Sequence, residues 1–364
     1  MAIRVLHIVT YMGRGGLETM LMNYYRNIDR DKVQFDFLVH RDFEADYDPE
    51  ILALGGRIYH VSRLVPWSGA YRRELKAFFR GHPEYQVVHV HQDCLSSVAL
   101  QCAKECGIPV RIAHSHITSQ DMNLKYPIKM FYKHRIPAYA TELMACGEDA
   151  GKWMFGGADF HVLPNAIDAA AYAYNPEKRA EVRAAFSVAE NELLVGHVGR
   201  FSPQKNHFFL LEIFAAVQKL TAAKLLLVGD GELRHDIEKK IQELGLTDKV
   251  ILTGVRSDVA ELLQGMDVFA FPSNYEGLGI VAIEAQAAGL PCLISDKVPI
   301  ECKKTPLVKQ LPLAAGAETW AKEILAAAKT ERYNTTELIR QAGFDIAENA
   351  ARLQVYYLKK GEKR

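Results

Sequence analysis

Apolar runs of roughly the four to eight residues that a buried strand takes recur along this chain, with helix-length amphipathic stretches between them. In the first half the runs are Ile3–Thr10, Val33–Val39, Arg57–Val61, Gln86–His91, Val110–Ala113, Glu142–Cys146 and Phe160–Leu163. Segments such as Leu17–Asn27, Tyr71–Phe79 and Leu95–Cys106 separate them. Buried strands alternating with helices imply parallel βαβ units. The rhythm breaks around Leu163-Pro-Asn-Ala-Ile-Asp168, and a polar stretch follows over Tyr174–Glu181. A second series then runs through Leu193–Val198, Lys224–Val228, Val250–Thr253, Asp267–Phe271, Pro291–Ile294 and Leu307–Leu311, with helices over Phe208–Leu220 and Leu233–Leu244. The expected fold is α/β, with two doubly wound parallel-sheet domains covering residues 1–166 and 167–342. The halves share a rhythm and no sequence repeat. A last helix is expected over Gly343–Leu358, its C-terminus suited by the basic tail Lys359–Arg364.

Composition agrees with two ordinary globular domains. A chain of 364 residues is long for one core. With 49% hydrophobic residues, 24% charged residues and no net charge, it lacks the basic excess that nucleic-acid binding usually leaves. Ile3–Thr10 is too short for a signal segment and runs into a glycine-rich turn, and no apolar run reaches the ~20 residues that span a bilayer. Cys94, Cys102, Cys106, Cys146, Cys292 and Cys302 include no Cys-x-x-Cys pair. Buried free thiols in a reducing cytoplasm are the expectation.

In open α/β sheets, ligands bind beyond the carboxyl ends of the strands, so the chemistry is expected in the segments just after the runs. Phe271-Pro-Ser-Asn-Tyr-Glu-Gly-Leu-Gly-Ile-Val-Ala-Ile-Glu284 follows one run and sets Glu276 and Glu284 eight positions apart around a Gly-x-Gly turn. Backbone N–H groups at such a turn suit a phosphate. Carboxylates repel a phosphate but accept hydrogen bonds from hydroxyls. A sugar nucleotide offers both. Gly199-Arg-Phe-Ser-Pro-Gln-Lys-Asn206 carries Arg200 and Lys205, two cations able to converge on a diphosphate. Gly229-Asp-Gly-Glu232 and Gly254-Val-Arg256 end neighbouring runs, as contact loops or as plain turns. Gly13-Arg-Gly-Gly-Leu-Glu18 opens a helix after the first run, yet it is neither a dinucleotide fingerprint nor a P-loop.

Histidines pair at strand ends: His89 with His91, and His114 with His116. Alternate strand residues share a face, but no third ligand is apparent beyond Asp93, so hydrogen bonding or acid–base work is expected in place of a metal. The pairs Asp29/Asp31 and Asp46/Asp48 read as solvated loops.

Together these residues resemble the retaining GT-B glycosyltransferases of family 4, which include many exopolysaccharide and capsule-building enzymes. The resemblance spans nearly the whole chain and is strongest from Val195 to Ser295. It implies two Rossmann-like domains facing a central cleft, with the nucleotide-sugar donor mainly on the second and the acceptor mainly on the first. Arg200 and Lys205 would then hold the diphosphate and stabilise the departing phosphate. Glu284 would bind ribose hydroxyls, and Glu276 would face the sugar with Gly277, Leu278, Gly279 and Ile280 supplying N–H groups. Gly229, Gly254 and Val255 would line the same site, and Gly15 and Gly16 would close over the diphosphate from the first domain. The family histidine matches His114 or His116, with His116 favoured as the last residue before the loop. The final helix would cross back to the first domain.

The implied reaction is transfer of a hexose, from a UDP-sugar by family habit, to a hydroxyl of a glycan or polyprenyl-linked acceptor. Retention without a covalent enzyme intermediate and without metal or cofactor is expected. A sugar-nucleotide epimerase or hydrolase, or a non-catalytic sugar-nucleotide-binding subunit, are the alternatives. Arg57–Arg80, with Trp67, Tyr71, Phe78 and Phe79, and Lys125–Arg135, with Tyr126, Phe131 and Tyr132, mix basic and aromatic residues. Such segments dock on anionic lipid or are ordinary amphipathic helices. A cytoplasmic protein, peripheral on the inner face of the membrane, is the corresponding expectation.

Overall fold

The computed structural model describes residues 2–118, 120, 122 and 124–361; the tail residues 362–364 lie outside them. Two compact units divide the chain: Met1–Ile167 with Phe344–Arg364, and Asp168–Gly343.

The first unit holds a seven-stranded sheet of β1 (Ile3–Ile8), β2 (Val33–Val39), β3 (Ile58–His60), β4 (Val87–Val90), β5 (Val110–Ser115), β6 (Glu142–Ala145) and β7 (His161–Val162), ordered β3-β2-β1-β4-β5-β6-β7. Every pairing is parallel. Parallel sheets are covered on both faces. One face buries Val5, Phe35 and Phe37 with Met20, Tyr24 and Tyr25 of the helix Gly16–Asn27. The other buries Leu6, Ile8, Val88 and Val90 with Leu75, Phe79, Val98 and Leu100 of the helices Gly69–Gly81 and Ser96–Glu105.

The final helix, Ile346–Gly361, belongs to this unit. Its start is tied by Ile346 N donating to Ile167 O at 2.9 Å. Tyr357 is fully buried, and Tyr356 and Lys360 both reach Glu142.

The second unit holds β8 (Leu193–Val198), β9 (Ala223–Val228), β10 (Val250–Leu252), β11 (Val268–Phe271), β12 (Cys292–Ser295) and β13 (Val308–Leu311), ordered β10-β9-β8-β11-β12-β13 and all parallel. The helix Ile280–Ala287 is buried from Val281 through Ala287, as a helix apolar nearly all round must be. Its Gln286 is satisfied at both ends, donating to Ala282 O and Cys302 O and accepting from the Lys304 and Thr305 amides.

The polar stretch Tyr174–Glu181 carries a helix that sequence did not mark, since Pro176–Ala185 starts inside it. Asn175 caps that helix by accepting from Glu177 N and Lys178 N at 2.9 and 3.1 Å, and Pro176 occupies the first turn, where no N–H is needed. Its polarity partly turns inward: Arg179 and Arg183 grip Asp267 at 2.6 and 3.0 Å.

In each sheet the strand order reverses once, between β1 and β4 in the first and between β8 and β11 in the second. Loops leaving the two strands at such a point diverge and open a crevice.

Candidate functional site

At the reversal of the second sheet, the loops after β8 and β11 are stitched together. Asn274 N donates to Gln204 O at 2.8 Å, Asn274 Nδ2 to Pro203 O at 2.8 Å, and Asn206 Nδ2 to Pro272 O at 3.1 Å. This clamp brings Lys205 Nζ to 2.7 Å from Glu276 Oε1, while Gln204 Nε2 donates to Glu276 Oε2 at 3.2 Å. Lys205 Nζ also stands 4.7 Å from the centre of the Phe271 ring, a cation over an aromatic face. Only 15% of the Lys205 side chain and 6% of that of Glu276 is exposed, so water screens their attraction weakly.

Gly279 precedes the helix Ile280–Ala287 with φ of +79°, a left-handed conformation that favours glycine. The turn Gly277–Ile280 thus leads into a helix start whose first amides lack intrahelical partners. Leu278 is buried and Ile280 half-buried. Glu284 lies in the second turn, and burial pushes its carboxyl up to about 7 against a hydrogen bond from Tyr172 and the charge of Lys205. A buried carboxyl with this balance changes charge near neutrality.

Arg200 and Lys205 were expected to converge, and the structure pairs them with different carboxylates. Arg200 Nε reaches Glu232 Oε2 at 3.1 Å on a side chain 70% exposed. The acidic residue of the Gly229–Glu232 turn was not anticipated as its partner.

Gly229 itself has a packing reason. At φ of +137°, a Cβ there would stand 2.1 Å from Gly199 O. Gly229 N donates to Gly254 O at 2.9 Å, so Gly199, Gly229 and Gly254 form one backbone layer beneath the loops. Val255 is exposed beside it.

In the first unit, Gly15 caps the helix Gly16–Asn27 and Glu18 folds back over it, so that a Cβ on Gly15 would meet Glu18 Oε2 at 2.3 Å. Burial raises the Glu18 carboxyl to about 7, with the charge of Asp93 adding to the effect. Asp93, after β4, holds φ of +45°, unusual for a non-glycine residue. Burial lifts its carboxyl to about 6 against the charge of Lys129 and the His116 backbone N–H. Backbone strain of this kind gathers at functional sites, and sequence carries no sign of it.

His114 lies within β5 and is buried, whereas His116 follows the strand and is half-buried. Sequence offered only Asp93 as a third polar neighbour of either histidine pair, and the sheet brings a further histidine to each. His7 stands opposite His89 in the β1–β4 register and joins His89 and His91, and His91 joins His114 and His116. Cross-strand neighbours are set by topology, which residue spacing within one strand does not reveal.

Elsewhere, Asp48 is buried and accepts from Ala45 N at 2.9 Å, so it braces the preceding turn and is not solvated. None of the six cysteines forms a disulfide, and burial raises the Cys94 thiol to about 11. In the first basic–aromatic segment Tyr71 and Phe79 are core and Trp67 is 68% exposed. In the second, the helix Tyr126–Lys133 buries no residue, and Phe131 stands 55% exposed near a 98% exposed Leu124. No helix among the described residues is long and apolar enough to cross a membrane.

Residues 178–303 match the family described as glycosyl transferases group 1, and residues 14–171 match glycosyltransferase family 4. The protein EpsF of Bacillus subtilis (strain 168), named as a glycosyltransferase, is 38% identical over 97% of this chain and 96% of its own length. The UDP-Gal:alpha-D-GlcNAc-diphosphoundecaprenol alpha-1,3-galactosyltransferase of Escherichia coli is 26% identical over 58% of each chain. Among solved structures, Anabaena HepE in complex with UDP and glucose superposes with a TM-score of 0.80 over 97% of this chain and 99% of that one. At 18% identity, that likeness shows the fold.

Proposed function

The chain belongs to the group 1, family 4 glycosyltransferases, and from that membership we propose that it moves a hexose from a UDP-sugar to a hydroxyl of a glycan or polyprenyl-linked acceptor, with retention. One observation carries the reading: Lys205 and Glu276 meet at the strand-order reversal of the second sheet, with Glu284 close enough to feel the lysine's charge. A cation for the diphosphate and carboxylates for hydroxyls stand side by side, as a sugar nucleotide requires. The uridine and polyprenyl elements are supported by the names of the Escherichia coli relative and the Anabaena complex.

In this reading Lys205 and Arg200 bind the diphosphate, Glu276 the sugar, and Glu284 the ribose. Gly277, Leu278, Gly279 and Ile280 offer amides, and Gly229, Gly254 and Val255 support the base and ribose side. The bond from the anomeric carbon to the β-phosphate oxygen breaks as the acceptor oxygen bonds the same face of that carbon. The acceptor's proton passes to the departing phosphate oxygen, leaving a glycoside and a nucleoside diphosphate. Diphosphate is a leaving group that needs charge neutralisation more than protonation, and the cations of Lys205 and Arg200 supply it. No divalent ion on the diphosphate is required, so transfer proceeds equally with and without added Mg2+ or Mn2+. Acceptor recognition is assigned to the first unit, with His116 or His114 as its active-site histidine.

The test is release of UDP from UDP-hexoses with and without lipid-linked glycan acceptors. Acceptor-dependent release supports transfer. Equal release without acceptor marks a hydrolase, and no turnover with any acceptor marks a binding subunit; either result refutes the proposal.

A further inference from the structure

Among its helices, the first unit holds a cavity of about 370 Å³ whose lining residues have no part in the proposed transfer. Arg72 and Lys76 stand four apart on the helix Gly69–Gly81, and Ser97, Gln101 and Glu105 stand at intervals of four on the helix Ser96–Glu105. Residues at that spacing share a helix face, so each helix turns a polar stripe to the cavity. Phe131, on the helix Tyr126–Lys133, and Arg135, just after it, line the cavity as well. We propose that this cavity binds a phosphomonoester, borne by a lipid or by a soluble compound, through Arg72 and Arg135.

Glu105 is the one carboxylate among the described lining residues, and it is already engaged: it pairs with Lys76 and accepts from Gln101 Nε2 at 2.9 Å. The two guanidinium groups meet neutral partners. Arg72 Nη1 donates to Gln101 Oε1 at 2.9 Å and Nη2 to Pro66 O at 3.3 Å. Arg135 lies 4.9 Å from the centre of the Phe131 ring, with Nη2 at 3.4 Å from the Tyr139 hydroxyl. Gln101 and Pro66 thus orient the Arg72 fork without cancelling its charge.

Three cations against one carboxylate leave the cavity with two positive charges in excess. A phosphomonoester carries about −1.5 to −2 at neutral pH and matches that excess, whereas a carboxylate or a phosphodiester brings half of it. Guanidinium forks also fit phosphate oxygens in pairs. Ser97 adds an independent sign of a ligand. Its hydroxyl is enclosed and has no hydrogen-bond partner among the described residues. Buried hydroxyls seldom stay unpaired, and a phosphate oxygen accepts from one. The volume falls within the roughly 300–1,000 Å³ of small-ligand sites. Phe131 is exposed where it lines the cavity, and Trp67, next to the Pro66 that holds Arg72, is exposed too. Exposed aromatic residues suit the membrane interface and favour the lipid as the bearer.

The experiment uses full-length protein near pH 8 and about 0.15 M salt, where general surface attraction is screened. Glycerol 3-phosphate is titrated by calorimetry. Flotation compares phosphatidylcholine vesicles carrying phosphatidic acid with vesicles brought to the same surface charge by oleate. A preference for phosphatidic acid supports the site and puts the phosphate on a lipid; saturable glycerol 3-phosphate binding without that preference supports it with a soluble bearer. Arg135→Gln, at an exposed position where folding is least at risk, and Arg72→Gln should each weaken the binding found by roughly tenfold or more. Arg200→Ala, in the second unit, should keep it. No glycerol 3-phosphate binding together with equal flotation on the two vesicles would overturn the proposal. So would wild-type binding by Arg135→Gln and Arg72→Gln, or a loss that follows Arg200→Ala and spares them.

Discussion

Lys205 Nζ and Glu276 Oε1 form a 2.7 Å ion pair that is almost shut off from water, with Gln204 Nε2 donating to the other carboxylate oxygen at 3.2 Å. Removing the lysine charge leaves the Glu276 carboxylate enclosed with the Gln204 amide and without its cation, and breaking a buried ion pair costs about 3–5 kcal/mol. Lys205→Met is therefore expected to lower unfolding free energy in urea by about 3 kcal/mol. The double variant Lys205→Met/Glu276→Gln recovers most of that loss, and neither variant transfers sugar. Wild-type stability in the single variant would contradict the enclosure.

Arg200 presents the opposite case. It is mostly exposed, and its contact with Glu232 lies in solvent, where an ion pair contributes little. Arg200→Ala should leave stability within about 0.5 kcal/mol. Under the proposed role of Arg200 at the departing phosphate, its loss should lower kcat by about 100-fold or more. A rate within twofold of wild type, read by UDP release, would remove Arg200 from the donor site.

Glu284 gives the site a pH signature. Its carboxyl titrates near 7 in the folded chain and near 4.5 in a free chain. Between those values the unfolded chain has lost the proton that the folded chain keeps, so stability falls as pH rises through this window, and the cost is complete above about 7. Glu284→Gln cannot lose a proton, so it should gain stability on wild type between pH 4 and pH 8, by at most about 3 kcal/mol. UDP affinity of the wild type should rise from pH 6 to pH 8 as the carboxylate forms and accepts from ribose hydroxyls. The Gln variant should show no such rise in calorimetric titration.

Gly229→Ala tests the backbone layer under the site. A Cβ 2.1 Å from Gly199 O, at φ of +137°, cannot be housed without moving one loop. A loss of at least about 2 kcal/mol is expected by urea titration, and a neutral effect would show that the loops yield.

The second basic–aromatic segment, Lys125–Arg135, exposes Phe131, and Leu124 just before it is exposed as well. Flotation with anionic vesicles at low salt should carry the protein, and 0.5 M salt or Phe131→Ser should release it, since surface charge attraction is screened. A protein that stays at the bottom of the gradient at low salt ends the membrane reading.

Local pattern made much of the fold legible. β2 and β8 span Val33–Val39 and Leu193–Val198 in sequence and structure alike, because mostly apolar runs of this length bounded by turn residues leave strand as the fitting element. The helix Pro176–Ala185 escaped because its cap and its inward-facing arginines look like a loop in composition. At the site, Glu276 and Glu284 stood out because a glycine turn and a helix position are local features. Glu232 against Arg200, Tyr172 against Glu284, and His7 beside His89 and His91 did not. Each joins residues that only sheet order or loop packing makes neighbours, and the left-handed Asp93 is a conformation with no residue-type signal.

The central claim is that Lys205, Glu276 and Glu284 hold a nucleoside diphosphate sugar. Its most direct test is the melting temperature of wild type, Glu276→Gln and Glu284→Gln across a panel of nucleotide sugars at pH 8. A rise with UDP-hexoses in the wild type, reduced in Glu284→Gln for UDP alone and in Glu276→Gln for the sugar's added effect, is the predicted result. No rise with any nucleotide sugar, or equal rises in all three proteins, would contradict it.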